Sequence, residues 1–267
     1  MALPSWAHFS WSVLATTLAA VAAGGMAGAP PGSEVPAQCV SAHIIAADPK
    51  TRTLTLDIRN SCQAAVTALS WTISCPEAAR DRGDYSERLD FFSSIGLESW
   101  VRGSEEQPIG GIAPHSLHRR KIPSPCVVGG SRQDGPGVRV KAFLLADKTA
   151  WGDLQDLRRI MHARRVTLDE LRYWTETLES ALSDIRGSDT ALPLEALAAK
   201  SRLKRYENDA LGSLVANGVQ QDVFRHLRAA PENRSNPERI AAASVLRLLT
   251  AYRDWIEVKA RHVFEPQ

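Results

Sequence analysis

The chain has 267 residues and carries 32 Lys plus Arg against 30 Asp plus Glu, a formal charge of +2. That length supports one large domain or two small ones. Acids and bases alternate along both halves, so no concentrated basic patch marks a nucleic-acid or anionic-membrane partner, and nucleic acid is disfavoured.

Residues 1–29 contain no Asp, Glu, Lys or Arg. The apolar run from Trp11 to Ala23 reads as the core of a secretory signal, with small-residue exits at Val21-Ala22-Ala23 and Ala27-Gly28-Ala29. A basic amino-terminal region is missing. The alternative is an uncleaved membrane anchor, although the apolar part falls short of the roughly 20 residues that span a bilayer. Export to the periplasm or the extracellular space is therefore expected, with membrane association only if the segment is retained. Residues 30–38 form a linker.

From Cys39 to Thr149 the pattern is β. Val40, Ala42 and Ile44 give a first strand its buried face, Leu54, Leu56 and Ile58 a second, and Leu69, Trp71 and Ile73 a third. A short strand is expected at Leu89 to Phe92, another ends near Ile122, and Val138 to Leu144 alternates as the last. The double glycines at 110–111 and 129–130 lack phosphate-cradling spacing and read as turns. Six or seven short strands separated by Gly, Pro and Asn turns fit an antiparallel immunoglobulin-like β-sandwich, without the Cys, Trp, Cys spacing of antibody domains. Cys39, Cys62, Cys75 and Cys126 all lie in this half, and none forms a Cys-x-x-Cys pair. A hairpin about Asp48-Pro49-Lys50 would bring Cys39 beside Cys62, which leaves Cys75 for Cys126.

From Ala150 the pattern is helical. Leu154, Leu157, Ile160, Met161, Leu168, Leu171, Trp174, Leu178, Leu182 and Ile185 mark one stripe on a helix running to Arg186, long enough to need an antiparallel helical neighbour. A second helix is expected from Pro193 to Asn217, stopped by Gly218, then a short piece from Val219 to Ala229. Asn236-Pro237 starts the last helix, with Ile240, Val245, Leu248, Leu249, Tyr252, Trp255 and Ile256 on its apolar face. The expected fold is α+β with two segregated domains, a β-sandwich over 39–149 and an α-helical hairpin or bundle over 150–267.

Candidate chemistry is sparse. His115 and His118, three apart on a strand, would face opposite ways, so they read as surface histidines and not as metal ligands. Asp147, Thr149 and Asp153 lack the twelfth-position acid of a calcium loop, where Arg158 stands, and read as a turn plus a helix cap. His162 and His226 lack zinc-site spacing. Glu176 and Glu179 share a helical face but read as solvated. Arg158-Arg159, Arg164-Arg165 and the cluster from Lys200 to Arg205 read as salt-bridged surface. Trp71, Trp174 and Trp255 fit core positions, whereas Trp100 lies on a loop and is the one aromatic singled out for a partner contact. No catalytic, cofactor-binding or metal residue is assigned.

Two stretches, Leu54 to Ser61 followed by Val66-Thr67-Ala68, and Ala146 to Asp153 entering a helix with Arg164-Arg165, resemble uncharacterised exported bacterial proteins with an immunoglobulin-like amino-terminal half and a helical carboxy-terminal half. The resemblance implies no catalytic residue. The expected role is a non-enzymatic binding or adaptor protein of the cell envelope, with a protein partner or self-association. The rival expectation is an envelope hydrolase using carboxylates of the helical half.

Overall fold

Among the described residues, seven strands come first and the helices follow. The computed structural model describes residues 39–75, 85–93, 110–126, 136–184, 194–199, 203–229 and 237–260, all within one unit, Val35–Gln267. The strands are β1 (Val40–Asp48), β2 (Thr53–Asn60), β3 (Val66–Ser74), β4 (Tyr85–Asp90), β5 (Leu117–Pro123), β6 (Gly137–Leu145) and β7 (Ala150–Gly152). They form two antiparallel sheets, one in the order β1-β2-β5 and one in the order β4-β3-β6-β7.

The alternation read from the sequence sets which faces meet. Leu54, Leu56 and Ile58 from the first sheet and Leu69, Trp71, Ile73 and Phe143 from the second share one apolar core. The disulfides are Cys39–Cys62 and Cys75–Cys126. The first follows from β1–β2 register, in which Val40 lies opposite Asn60 and so sets Cys39 beside the turn after β2. Asn60, fully buried, holds that turn: its amide donates to the carbonyls of Ala64, Ile112 and Ala113, and its Oδ1 accepts from the Cys62 N–H.

Past Thr149 the chain adds a short strand, β7, where the sequence pattern places the start of the helical half. β7 is short because Gly152, at φ +107°, bends the chain away; a Cβ there would lie 2.1 Å from the Lys141 carbonyl oxygen. Trp151 stacks on Phe143.

The helices are α1 (Leu154–Asp184), α2 (Leu194–Ala199), a 3-10 turn (Leu203–Tyr206), α3 (Ala210–Arg228) and α4 (Pro237–Ala260). At 31 residues, α1 is roughly 46 Å long. Asp153 caps it, accepting from the N–H groups of Gln155 and Asp156. The first half of α1 lies on the outer face of the second sheet, where Ile160, Leu157 and Met161 pack with Ala68 and Leu144. The second half builds a separate core with α3 and α4 around Leu171, Trp174, Leu178, Val223, Leu227, Leu249 and Ile256.

Two expectations are corrected here. Gly218 does not end a helix; it lies inside α3. The break comes earlier, where the Asp209 carboxylate accepts from the Gly212 N–H and starts α3 afresh, because a good side-chain cap outweighs the loss of about 1 kcal/mol that one interior glycine causes. Nor is α3 an antiparallel partner of α1. His162 meets Asp209, Val166 packs with Ala216, and Trp174 packs edge-on to Phe224, so the two helices ascend together. Tyr206 of the 3-10 turn meets the middle of α1 at Val166 and Glu170.

Candidate functional site

The turn leaving β4 joins the two cores. Phe91 enters the core between the sheets, while its neighbour Phe92 enters the helical core. Two adjacent phenylalanines in the turn just past one strand thereby serve two separate cores. Asp90, immediately before them, organises the turn: its Oδ1 accepts from the Phe92 N–H at 3.0 Å and its Oδ2 from Ser93 Oγ at 2.7 Å. Tyr252 of α4 donates its hydroxyl to the Phe92 carbonyl. Burial pushes the Tyr252 phenol well above its ordinary range.

Into this turn reaches Arg164 of α1, 0% exposed. Its Nε donates to both oxygens of Asp90 (3.0 and 2.9 Å), and Nη2 donates to Asp90 Oδ1 at 2.9 Å and to the Thr67 carbonyl at 3.0 Å. The guanidinium carbon lies 4.5 Å from the centre of the Phe92 ring. A desolvated guanidinium is tolerated only with a matched carboxylate and further acceptors; here Asp90, the Thr67 carbonyl and hydroxyl and one aromatic face serve Nε and Nη2, while Nη1 is buried without a hydrogen-bond partner among the described residues. The sequence reading placed Arg164 on a solvated surface, and that is wrong. A signal was present: Arg164 falls four residues after Ile160 and four before Leu168, inside the apolar stripe. Arg165, one position on, is exposed as expected.

A second polar cluster lies farther along α1. Glu170, 2% exposed, accepts from Tyr206 Oη at 3.0 Å. Desolvation raises the Glu170 pKa, against smaller opposing effects of Tyr206 and Arg205. The Trp174 indole N–H lies near enough to favour the carboxylate slightly without completing a hydrogen bond. Glu170 escaped the sequence reading, although it too follows a buried residue, Val166, by four. One turn back from Val166, His162 meets Asp209, whose pKa is held low chiefly by the Gly212 backbone N–H.

A third pair bridges the open side between the sheets. Arg120 of β5 donates to Glu87 of β4 at 3.3 Å. Burial still raises the Glu87 pKa, because a single long contact does not repay desolvation of the carboxylate.

The residues singled out from sequence are not brought together. His115 is exposed beside Gln63, at φ +56°. His118, expected at the surface, is buried edge-on to Phe91, because β5 turns that position toward the core. Asp147 accepts from the Thr149 N–H and Asp153 caps α1, a turn and a cap with their carboxylates engaged by backbone. Glu176 and Glu179 are exposed. Trp71 and Trp174 are fully buried, and Trp255 is half-buried against Phe92. Leu154, counted in the apolar stripe, is 60% exposed, since the stripe begins to bury only beyond the cap. Trp100, Gly129, Gly130, Lys200 and Arg202 lie outside the described residues. Among the described residues no group of three or more His, Cys, Asp or Glu could hold a metal ion, and no helix is long and apolar enough to cross a membrane.

Chemically, then, the Asp90–Arg164 centre is a sealed coupling between a strand turn and a helix. Compared with protein-family models, with curated proteins and with solved structures, the chain matches none.

Proposed function

We propose that this is an exported, non-enzymatic binding or adaptor protein of the bacterial cell envelope, in which an immunoglobulin-like sandwich and a helical platform are held as one rigid body to present surfaces to a protein partner. The observation that carries the reading is the Asp90–Arg164–Phe92 coupling, which places charge and aromatic area where they can fix orientation but reach no substrate. Two disulfides support an oxidising, exported setting. The sandwich assignment is supported by strand order, since β1-β2-β5 and β4-β3-β6-β7 correspond to strands A-B-E and C′-C-F-G, and by Trp71, buried on the strand that would be C.

Candidate contact surfaces are the outer face of the β1-β2-β5 sheet, where Leu117 is 49% exposed, and the outer face of α3, where Leu214 is 68% exposed. Large apolar side chains in water favour association. The test is in-cell crosslinking of the tagged full chain, with Leu117→Glu and Leu214→Glu run beside it. The expected result is one recurrent partner, lost with one substitution and retained with the other. Loss with neither, or no captured species at all, would overturn the reading and turn attention to cleavage of cell-wall fragments.

A further inference from the structure

On leaving β7, α1 crosses the outer face of the second sheet. The Asp153 N–H bonds the Lys141 carbonyl, Ile160 packs with Ala68 and Leu144, and Arg164 reaches Asp90. Ala68 pairs with Asp90 on one side and Leu144 on the other, so the crossing follows that row of the sheet. The next row on the same face is Arg88, Ser70 and Ala142, in register across β4, β3 and β6. It lies along the flank of α1.

Two polar atoms in this row are buried with no hydrogen-bond partner among the described residues: Ser70 Oγ, on a residue 2% exposed, and Arg88 Nη1. One row further on, Thr72 and Ser86 satisfy each other through a hydroxyl–hydroxyl hydrogen bond of 3.1 Å. The carboxylates nearby are committed elsewhere. Asp90 belongs to Arg164, and Asp156 contacts Arg159 at 3.7 Å. Burial lowers the Arg88 pKa and the neighbouring Arg159 lowers it further, against the opposing attraction of Asp156 and Asp90. With Asp90 and Arg164 cancelling, the flank holds two guanidinium groups, Arg88 and Arg159, against one carboxylate, Asp156.

We propose that Arg88 and Ser70, flanked by Arg159, form a binding site for one carboxylate group. Buried polar atoms in native proteins are almost always hydrogen-bonded, and two unmet ones side by side mark the place of a partner. A guanidinium matches a carboxylate through two parallel N–H donors, and the Ser70 hydroxyl supplies a third. Arg88 is only partly buried, so a swing of its flexible side chain uncovers both donors. The excess of one cation sets the charge of the ligand. A carboxylate is matched by it, whereas the second charge of a phosphate dianion would face Asp156 unopposed. The carboxylate can arrive free or on an acidic side chain of a bound peptide, and the site stands whether or not the adaptor reading does.

The experiment is an NMR titration of the full, disulfide-bonded chain with sodium acetate, with a Gly-Asp-Gly peptide blocked at both ends, and with inorganic phosphate at about pH 8, chloride holding the ionic strength constant. Amides of 69–71, 87–89 and 156–160 should move together with acetate and saturate with a Kd on the order of millimolar, the range open to so small a ligand. Arg88→Met should weaken acetate by about tenfold or more and Ser70→Ala by about threefold, while Arg59→Gln on the other sheet leaves it unchanged. Tighter binding of the peptide than of acetate supports the site with a peptide-borne carboxylate, and the reverse supports it with a free one. No saturable movement, movement that Arg88→Met leaves intact, or phosphate bound more tightly than acetate overturns the proposal. Should Arg88→Met fail to fold, the exposed Arg159 decides: Arg159→Gln turns Asp156 toward Arg88 and must weaken acetate by about tenfold, and an unchanged Kd sinks the site.

Discussion

Arg164 shows how much one buried charge commits its neighbours. Replacing it with Met leaves Asp90 desolvated without a counter-ion, and breaking such a pair costs about 3–5 kcal/mol. Asp90 also bonds Ser93 and the Phe92 N–H, so the turn that inserts Phe92 into the helical core loosens with it. Arg164→Met combined with Asp90→Leu should lose less than Arg164→Met alone, since neither charge is then stranded. Chemical denaturation of the two variants beside the wild type measures this, and a double variant less stable than Arg164→Met would contradict it. Asp209→Ala tests the smaller scale of a cap: removing the acceptor for the Gly212 N–H should cost about 1 kcal/mol, read as a lower unfolding midpoint.

Among the elements, α3 carries a removable weakness. Gly218 is exposed in its interior, and a Cβ there would meet nothing within 4 Å. Gly218→Ala should stabilise the protein by roughly 0.8–1 kcal/mol, because alanine loses less backbone freedom on forming a helix. Gly152→Ala should do the reverse, and more strongly. Its φ of +107° disfavours a side chain, and the new methyl would collide with the backbone of β6. A thermal melt of each distinguishes the two, and stabilisation by Gly152→Ala would mean that β7 does not pair with β6 as described. The helix stop expected at Gly218 failed for a physical reason: glycine permits termination, but only a cap or a competing contact enforces it. Asp209 supplies that contact nine residues earlier, and its partner His162 is 47 positions away in sequence, beyond any local window.

For the molecule as a whole, the disulfides close loops of different size. Cys39–Cys62 spans 23 residues and Cys75–Cys126 spans 51. Chain-entropy reasoning gives about 3.4 and about 4.1 kcal/mol for their removal, so Cys75→Ser with Cys126→Ser should destabilise more than Cys39→Ser with Cys62→Ser. Urea titration of both double variants tests the order. The second bridge ties the end of β3 to the residues just past β5, one strand from each sheet, so its loss also frees the two sheets at one end.

Periodicity in the sequence determined which residues form β1, β2, β3, β6, α1 and α4, because a period of two or of 3.6 is a local property of apolar placement. Both disulfide pairs were legible too, since hairpin geometry brings Cys39 to Cys62 and leaves Cys75 and Cys126 for each other. The tertiary structure alone decided that Arg164 and Glu170 are buried and that His118 faces the core. It also set the direction of α3 and the division of Phe91 and Phe92 between two cores. In each of these cases the partner lies far away in sequence, as with Arg164 and Asp90, 74 residues apart. A charged residue within an apolar stripe reads the same locally whether it meets water or a carboxylate, and only the packed neighbour makes burial tolerable.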